Sequence, residues 1–287
     1  MVESGNTQSA NTESNLETTA EVSHESPLYA ESLFHIGPLT ITNSLVNSLL
    51  VVFLVIVFSL AVKSKLKEVP GRLQNFFEAI IEVFLNLFDS VTHSRKKSLL
   101  FAPMLLAFFF FILINNWSGI LPGVGSVGRI VLEHGEKVFV PFFRGGTADL
   151  NTTLALAIIG VFASHVFGVL ALGFWQHFNK FINIKAFLEI PKKIKKDPTV
   201  LLVNPIKAFV GLIEIIGEIA KVASLSFRLF GNIFAGEVLL VSMSALLAWV
   251  VPVPFLFLEI IVGLIQAFIF MTLVLTYLSI HTTAEEH

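Results

Sequence analysis

One long apolar stretch near the C-terminus decides the fold. Residues 199–250 read TVLLVNPIKAFVGLIEIIGEIAKVASLSFRLFGNIFAGEVLLVSMSALLAWV. No proline occurs between Pro205 and Pro252, so no obvious helix breaker lies between them. At about 1.5 Å per residue, roughly 45 residues extend ~67 Å, about twice the thickness of a bilayer's hydrocarbon core. The helix must be broken at a glycine or strongly tilted. We expect a tilted helical hairpin with the next apolar stretch, 254–280.

The composition places the rest of the chain in a membrane as well. Of its 287 residues, 54% are hydrophobic and only 14% are charged, and the mean hydropathy is +0.80. So few charges cannot cover a water-facing surface, which excludes a soluble enzyme. The absence of cysteine excludes disulfides, thiolate metal sites and cysteine nucleophiles. No phosphate-binding Gly-Lys-Ser/Thr loop is present, so we expect neither direct ATP binding nor a nucleic-acid partner.

The predicted organisation is a tail followed by one all-α membrane domain. Residues 1–30 are acidic and rich in Ser, Thr and Asn, a composition typical of disorder. Residues 31–287 form the membrane domain, in which three upright spans precede the tilted hairpin. The spans, including the two hairpin arms, are predicted at 43–62, 98–122, 151–174, 199–250 and 254–280. Helical spacing of apolar side chains predicts an amphipathic helix at about 71–93, lying at the membrane surface or against a partner.

The distribution of basic residues predicts the orientation. No Lys or Arg precedes Lys63, seven lie within 63–98, three within 123–150 and six within 175–199. Loops rich in Lys and Arg stay on the cytoplasmic side. The N-terminus is therefore expected outside and the C-terminus inside, as in a multi-pass protein.

Ionisable residues inside the hairpin are the most informative positions. They are Glu214, Glu218, Lys221, Arg228, Glu237 and Glu259. A charge at the bilayer centre costs at least ~2.5–3.5 kcal/mol, so each such residue is a functional hypothesis. The structural alternatives are ion pairs and side chains that reach back to the interface. For Glu218 and Lys221, three residues apart, an intrahelical pair is an equally open interpretation.

Arg228 differs from the other charges because no acidic residue lies three or four positions away. Its guanidinium cannot lose its proton, so the charge must be compensated elsewhere. A helical projection puts Glu214, Ser224, Asn232 and Lys221 on the same side as Arg228. Glu237 falls on the opposite side and ~13 Å further along. With 175–199 inside, acidic groups lie inward and outward of one permanent cation, an arrangement typical of a proton path with a central barrier.

Several motifs resemble subunit a of the F-type ATP synthase. Residues 224–237, SLSFRLFGNIFAGE, match the signature of that family, and residues 264–278, LIQAFIFMTLVLTYL, match its final helix. The run TADLNTT at 147–153, Asn116, the Leu121-Pro122 pair and the C-terminal AEEH also fit. The resemblance extends from about residue 26 to the end.

This resemblance implies specific roles. Arg228 corresponds to the arginine that faces the carboxylates of the rotating c-ring, and Glu214 to the carboxylate near the inner exit. Glu259 stands where several members carry His, and two neighbouring carboxylates are expected to titrate as a pair. Which of Glu237 and Glu259 delivers the proton stays open. The candidate proton path comprises Ser224, Asn232, Glu237, Glu259, Gln266 and Glu214.

The resemblance also implies partners and a location. The expected partners are the c-ring, the peripheral-stalk subunit b, the rest of the F-type ATP synthase and membrane lipid. The expected location is a bacterial plasma membrane, and no cofactor or catalytic chemistry is expected in this chain itself. The coupling ion, H⁺ or Na⁺, the ring stoichiometry and the working direction are left open.

Two other functions are compatible with a polytopic membrane protein. A stand-alone ion channel or secondary transporter usually contains internal repeats, and none relates 43–174 to 199–280. A purely structural subunit leaves the cost of burying Arg228 unexplained. Among the histidines, His165 is expected to hydrogen-bond between helices, whereas His177 and His281 are expected to be solvated. No pair of histidines has metal-ligand spacing with a third ligand, so no metal site is predicted.

Overall fold

The computed structural model describes residues 30–64, 66–67, 69–121, 124, 127–133, 136–181, 200–246 and 250–283. The helices are α1 (Asn43–Ser64), α2 (Arg72–Thr92), α3 (Arg95–Ile120), α4 (Leu150–Leu172), α5 (Phe174–Phe181), α6 (Val200–Leu246) and α7 (Pro252–Thr282). The strands are β1 (Ser32–Ile36), β2 (Leu39–Thr42), β3 (Gly128–Glu133) and β4 (Glu136–Pro141). The predicted all-α membrane fold is confirmed. The tail predicted at 1–30 lies, except for its last residue, outside the described residues.

Within the described ranges, four helices are long and apolar enough to cross a bilayer, namely α1, α3, α4 and α7. Their most apolar segments have mean hydropathies of 2.3 to 2.8. Helix α1 shows most clearly how such an apolar sequence is exposed on the surface of the protein. Its apolar side chains point away from the protein, with Phe53 62% and Leu60 60% exposed, as expected for a surface that contacts lipid.

Helix α6 is continuous over 47 residues, so the alternative of a break at a glycine is wrong. A straight helix of this length extends about 70 Å, more than twice the ~30 Å hydrocarbon layer. It therefore cannot stand upright in a bilayer. Helix α7 returns antiparallel to it: Lys221 lies 5.0 Å above the Tyr277 ring, and Glu259 lies against Gly236. The hairpin begins its second arm at Pro252, where a proline at the first turn costs no hydrogen bond.

The core lies where α3, α4, α6 and α7 meet. Its largest fully buried side chains include Phe101, Leu105 and Ile112 of α3, Leu225 and Leu229 of α6, and Met271, Leu275 and Leu278 of α7. Helix α2 packs on this core through its C-terminal half, where the Phe84 and Phe109 rings lie 4.8 Å apart. These contacts fix the hairpin against the upright helices and hold its charged residues in place.

Two short antiparallel β-hairpins, β1–β2 and β3–β4, accompany the helices. The sequence analysis did not predict them, because each strand has only four to six residues and lies outside the long apolar runs. The guanidinium of Arg129, on β3, donates to the carbonyl oxygens of Ser32 and Leu33 on β1. The hairpins therefore lie together at one end of the molecule.

Contacts between helix ends define two sides of the bundle. The indole of Trp117, at the end of α3, donates to the carbonyl of Ile260 at 3.1 Å, near the start of α7. We call this the turn side, because α6 ends and α7 begins there. At the opposite end, Lys97 of α3 donates to the carbonyl of Thr282 at 3.1 Å. We call this the tail side. Both names refer to ends of the protein and not to the faces of a membrane.

Candidate proton path

Arg228 lies near the middle of the described part of α6. It borders a side of this helix that the other described helices do not cover, which we call the open surface. The neighbouring Leu225 and Leu229 are buried in the core, at 2% and 1% exposure. The guanidinium donates a 3.0 Å hydrogen bond to the hydroxyl of Ser224. In the described part of the chain it forms no ion pair. Among the described residues, this permanent cation therefore lies beside the open surface with the neutral Ser224 hydroxyl as its hydrogen-bond partner.

The open surface around Arg228 is built from small and polar residues. Ser224, Gly231, Asn232 and Ala235 are all exposed. Side chains of this size let a second helix approach closely in a membrane. The face therefore fits a helical neighbour that brings a polar group up to the guanidinium.

On the turn side, Glu237 is held by an arginine that the sequence analysis counted only as a loop cation. Arg144 donates from Nε to Oε1 of Glu237 at 3.1 Å and from Nη2 to Oε2 at 2.9 Å. The Arg144 side chain is 4% exposed and that of Glu237 30%. This two-pronged geometry is the strongest that arginine forms with a carboxylate. The only sequence signal was that Arg144 lies three residues before the start of the motif at 147–153.

Glu259 occupies a different environment on the same side. Its carboxyl group fills the space where a Cβ atom at position 236 would be, so any residue larger than glycine there would displace the carboxyl group. Glu259 is 7% exposed, and its Oε1 atom has no hydrogen-bond partner among the described residues. Glu237 and Glu259 were expected to titrate as a pair, and which of them delivers the proton was left open. The ion pair with Arg144 makes the two carboxylates chemically distinct.

A cavity of about 200 Å³ joins these groups. Arg144, Glu237 and Glu259 all line it, together with Asn116 and apolar side chains. Asn116 is fixed by two hydrogen bonds: it donates to the carbonyl of Gly263 at 2.9 Å and accepts from Thr147 at 2.6 Å. We call Arg144, Glu237 and Glu259 the turn-side cluster. Its cavity is large enough for several water molecules.

On the tail side, Glu218 is the centre of a second polar group. Lys221 donates to it at 2.7 Å, so the intrahelical pair considered from the sequence is present. The Nε2 atoms of His165 and His281 lie 3.3 Å and 3.4 Å from its two oxygens. A hydrogen-bond-length contact of 3.2 Å also joins His165 to His177. We call these five residues the histidine cluster.

The histidine cluster corrects two predictions. His177 and His281 were expected to be solvated, yet they are only 5% and 1% exposed. They meet because Gly173, with φ of +87°, adopts a backbone conformation open to glycine and turns α5 back along α4. The sequence spacing showed no pair of histidines with a third ligand, yet the fold brings ring nitrogens of His165, His177 and His281 within 4.8 Å of one another.

The remaining candidate residues lie between or beside these clusters. Gln266 is 9% exposed and lies on α7 between Glu259 and Tyr277, while Glu214 is half-buried one turn before Glu218 on α6. Arg228 is nine residues from Glu237 and ten from Glu218, which corresponds to ~13 Å and ~15 Å along the helix. The central cation thus has a polar cluster on each side of it.

Comparison with known proteins identifies the family. The model of the ATP synthase A chain family matches residues 45–279. The chain is 30% identical to ATP synthase subunit a of Trichlorobacter lovleyi over 248 residues, 86% of this chain and 90% of that protein. It is 33% identical to subunit a of Geotalea uraniireducens, over 80% of this chain and 82% of that one. For subunit a of Moorella thermoacetica the identity is 27%, over 86% and 94%. The chain therefore belongs to the ATP synthase subunit a family, the proton-channel component of a bacterial F-type ATP synthase membrane sector.

Proposed function

We propose that this chain forms two offset proton half-channels against a ring of c subunits, with Arg228 as the barrier between them. The observation that carries the proposal is the position of Arg228. It lies on an open face of α6 with Ser224 as its hydrogen-bond partner, and a polar cluster lies on α6 in each direction. A proton that crossed the guanidinium directly would meet its charge in a medium of low dielectric constant, where repulsion is strong.

The turn-side cluster supplies the first half-channel in this proposal. Because Arg144 compensates the charge of Glu237, protonation of Glu237 would break a pair held by several hydrogen bonds. Glu259 has no cationic partner among the described residues and lies in the same cavity. We therefore assign proton delivery to Glu259. Glu237 and Arg144 act as a fixed polar wall that keeps water in the cavity.

The second half-channel begins on the other side of Arg228. Glu214 lies on α6 on the N-terminal side of Arg228 and is half-buried. This position suits a carboxylate that receives the outgoing proton. The lysine-rich connection at 175–199 puts this end inside by the positive-inside rule. The turn side is then outside, and the protein sits in the bacterial plasma membrane with its C-terminus inside.

The open face of α6 is the proposed contact with the ring. A ring carboxylate that travels through lipid stays protonated, since an ionised carboxylate there is too costly. When it faces Arg228 it can ionise, because a nearby cation favours the charged form. Each proton that crosses about 100 mV releases about 2.3 kcal/mol, which drives the rotation. Subunit b and the rest of the synthase complete the assembly and hold this chain still.

Replacing the central cation tests the proposal. In membrane vesicles that contain the whole synthase, Arg228→Ala should abolish ATP-driven proton pumping, because a ring site can no longer ionise at the interface. Passive proton conductance through the membrane sector should persist or rise, since both polar paths remain. Arg95→Ala is the matched control: Arg95 pairs with Asp89 at a surface site where its side chain is 49% exposed, so normal pumping is expected.

Co-purification of the ring with the variant subunit shows whether the complex has assembled. Arg228→Lys keeps a positive charge but loses the planar guanidinium and can be deprotonated, so pumping should still be largely lost. Normal pumping by an assembled Arg228→Ala complex would contradict the proposal and leave Arg228 with a structural role.

A further inference from the structure

We propose that His165, His177, His281 and Glu218 form a binding site for a single divalent transition-metal ion, best suited to Zn²⁺. The site lies in the histidine cluster on the tail side. It is ~15 Å along α6 from Arg228 and separate from the turn-side cavity. Its donors come from four different helices: α4, α5, α6 and α7.

The donor atoms lie close enough together for ring rotation to form a tetrahedral site. Two ligands that each lie about 2.0–2.1 Å from tetrahedral Zn²⁺ are about 3.4 Å apart. Nε2 of His165 lies 3.3 Å from Oε2 of Glu218, which is already that spacing. Ring nitrogens of His165, His177 and His281 lie within 4.8 Å of one another, so the rings must rotate toward a common point to bind an ion.

Protein encloses the site, and the backbone beside it leaves room for the histidine rings. His281 is 1% and His177 5% exposed, and the Glu218 side chain is 13% exposed. A Cβ atom at Gly168 would lie 2.7 Å from Cε1 of His177 and 3.0 Å from the carbonyl oxygen of His281. Only glycine leaves room for the His177 ring at this place. Enclosure by protein is typical of structural zinc sites.

The chemistry of the donors selects the metal. Three imidazole nitrogens and one carboxylate oxygen suit Zn²⁺ and its first-row neighbours, whereas Mg²⁺ and Ca²⁺ prefer oxygen ligands alone. Lys221 contacts Oε1 of Glu218, so the other carboxylate oxygen is the one directed at an ion beside His165. The carboxylate would offset part of the ion's charge in the membrane interior.

A bound ion would join four helices at one point. Helix α5 is only eight residues long and is the shortest of them, so we expect it to gain most. We expect the ion to keep the tail side rigid while the open face of α6 contacts the rotating c-ring of the proposed function. This inference concerns metal binding alone and does not depend on the proton path.

Metal content of the intact synthase measures the site directly. The purified complex is stripped with a chelator, dialysed against buffered Zn²⁺ and assayed by inductively coupled plasma mass spectrometry. The wild type should hold one Zn²⁺ per complex more than the His281→Gln and His165→Gln variants. Loss of one ligand should weaken binding at least tenfold. The matched control is His93→Gln, since His93 is exposed in the α2–α3 connection, and it should retain the ion.

Co²⁺ substitution gives an independent readout. The wild type should show the intense visible absorption of tetrahedral Co²⁺ with nitrogen and oxygen ligands, and the His165→Gln variant should lack it. His165 is half-buried, so this variant is less demanding on folding than one at His281. Equal zinc content in wild type and both ligand variants, or no tetrahedral Co²⁺ signal in the wild type, would overturn the proposal.

Discussion

The turn-side cluster and the histidine cluster lie at similar distances from Arg228, yet they are built differently. The turn-side cluster holds two carboxylates and one arginine around a cavity of about 200 Å³. The histidine cluster holds one carboxylate, one lysine and three imidazoles in direct contact with one another. One side offers space for water next to a buried carboxyl group, and the other offers a close-packed set of ligands.

In the functions proposed above, the intramembrane charges of one protein serve separate purposes. A proton path needs a group that can gain and lose a proton beside water, and Glu259 in its cavity meets that need. A group of ligands from four helices instead favours a fixed connection between them. Three measurements test this contrast, and they follow in order of decreasing expected effect.

Removing the ionisable group of the turn-side cluster should have the largest effect. Glu259→Gln should reduce coupled proton pumping by about a hundredfold, because proton transfer by a positioned acid or base contributes about 10²–10⁴-fold. Glu237→Gln should reduce it less. The double variant should resemble Glu259→Gln rather than the product of the two losses, since both residues serve one path. Equal losses from the two single variants would remove the distinction between them.

Breaking the ion pair of the turn-side cluster should affect stability. Arg144→Met leaves the Glu237 carboxylate without its partner. Loss of one member of a fully buried pair costs about 3–5 kcal/mol, and because Glu237 is 30% exposed we expect about 2 kcal/mol. Adding Glu237→Gln should restore most of this loss. Thermal unfolding of the purified membrane sector measures both, and a double variant no more stable than Arg144→Met would contradict the pairing.

Filling the space beside Glu259 should have the smallest effect of the three. Gly236→Ala places a methyl group where the Glu259 carboxyl lies, so the carboxyl must move and pumping should fall about fivefold. The control is Gly217→Ala on the same helix, where a Cβ meets no described atom within 4 Å. That change should leave pumping unaltered and stabilise the helix slightly. Equal pumping by the two variants would show that the position of Glu259 is not critical.

The helices were predictable because each long apolar run must satisfy its backbone hydrogen bonds internally within the hydrocarbon layer. The length of the run at 199–250 also predicted the hairpin. Whether the long helix was broken could not be read from its glycines, because a helix in a bundle tolerates glycine when packing supports it. The two β-hairpins carried no comparable signal, since their strands have only four to six residues and lie outside the long apolar runs.

In the site, contacts local to one helix were predictable and contacts between distant segments were not. The Glu218–Lys221 pair follows from a spacing of three residues. Arg144 lies 93 residues from Glu237, and no periodicity links them. His165 and His281 meet where α4 packs on α7, and His177 joins them because the chain turns at Gly173. A turn of that kind sets the direction of α5 without marking which side chains it brings together.

The central claim is that the two sides of Arg228 are reached from opposite faces of the membrane. The chain contains no cysteine, so a single introduced thiol reports one position. Val241, which lines the turn-side cavity, and Glu214 are each replaced by cysteine in the assembled synthase and exposed to a small impermeant thiol reagent, and labelling is read on this chain after it has been separated from the other subunits. Labelling of Val241→Cys only from outside, and of Glu214→Cys only from inside, is the predicted result. Reaction of both thiols from the same face would contradict the account.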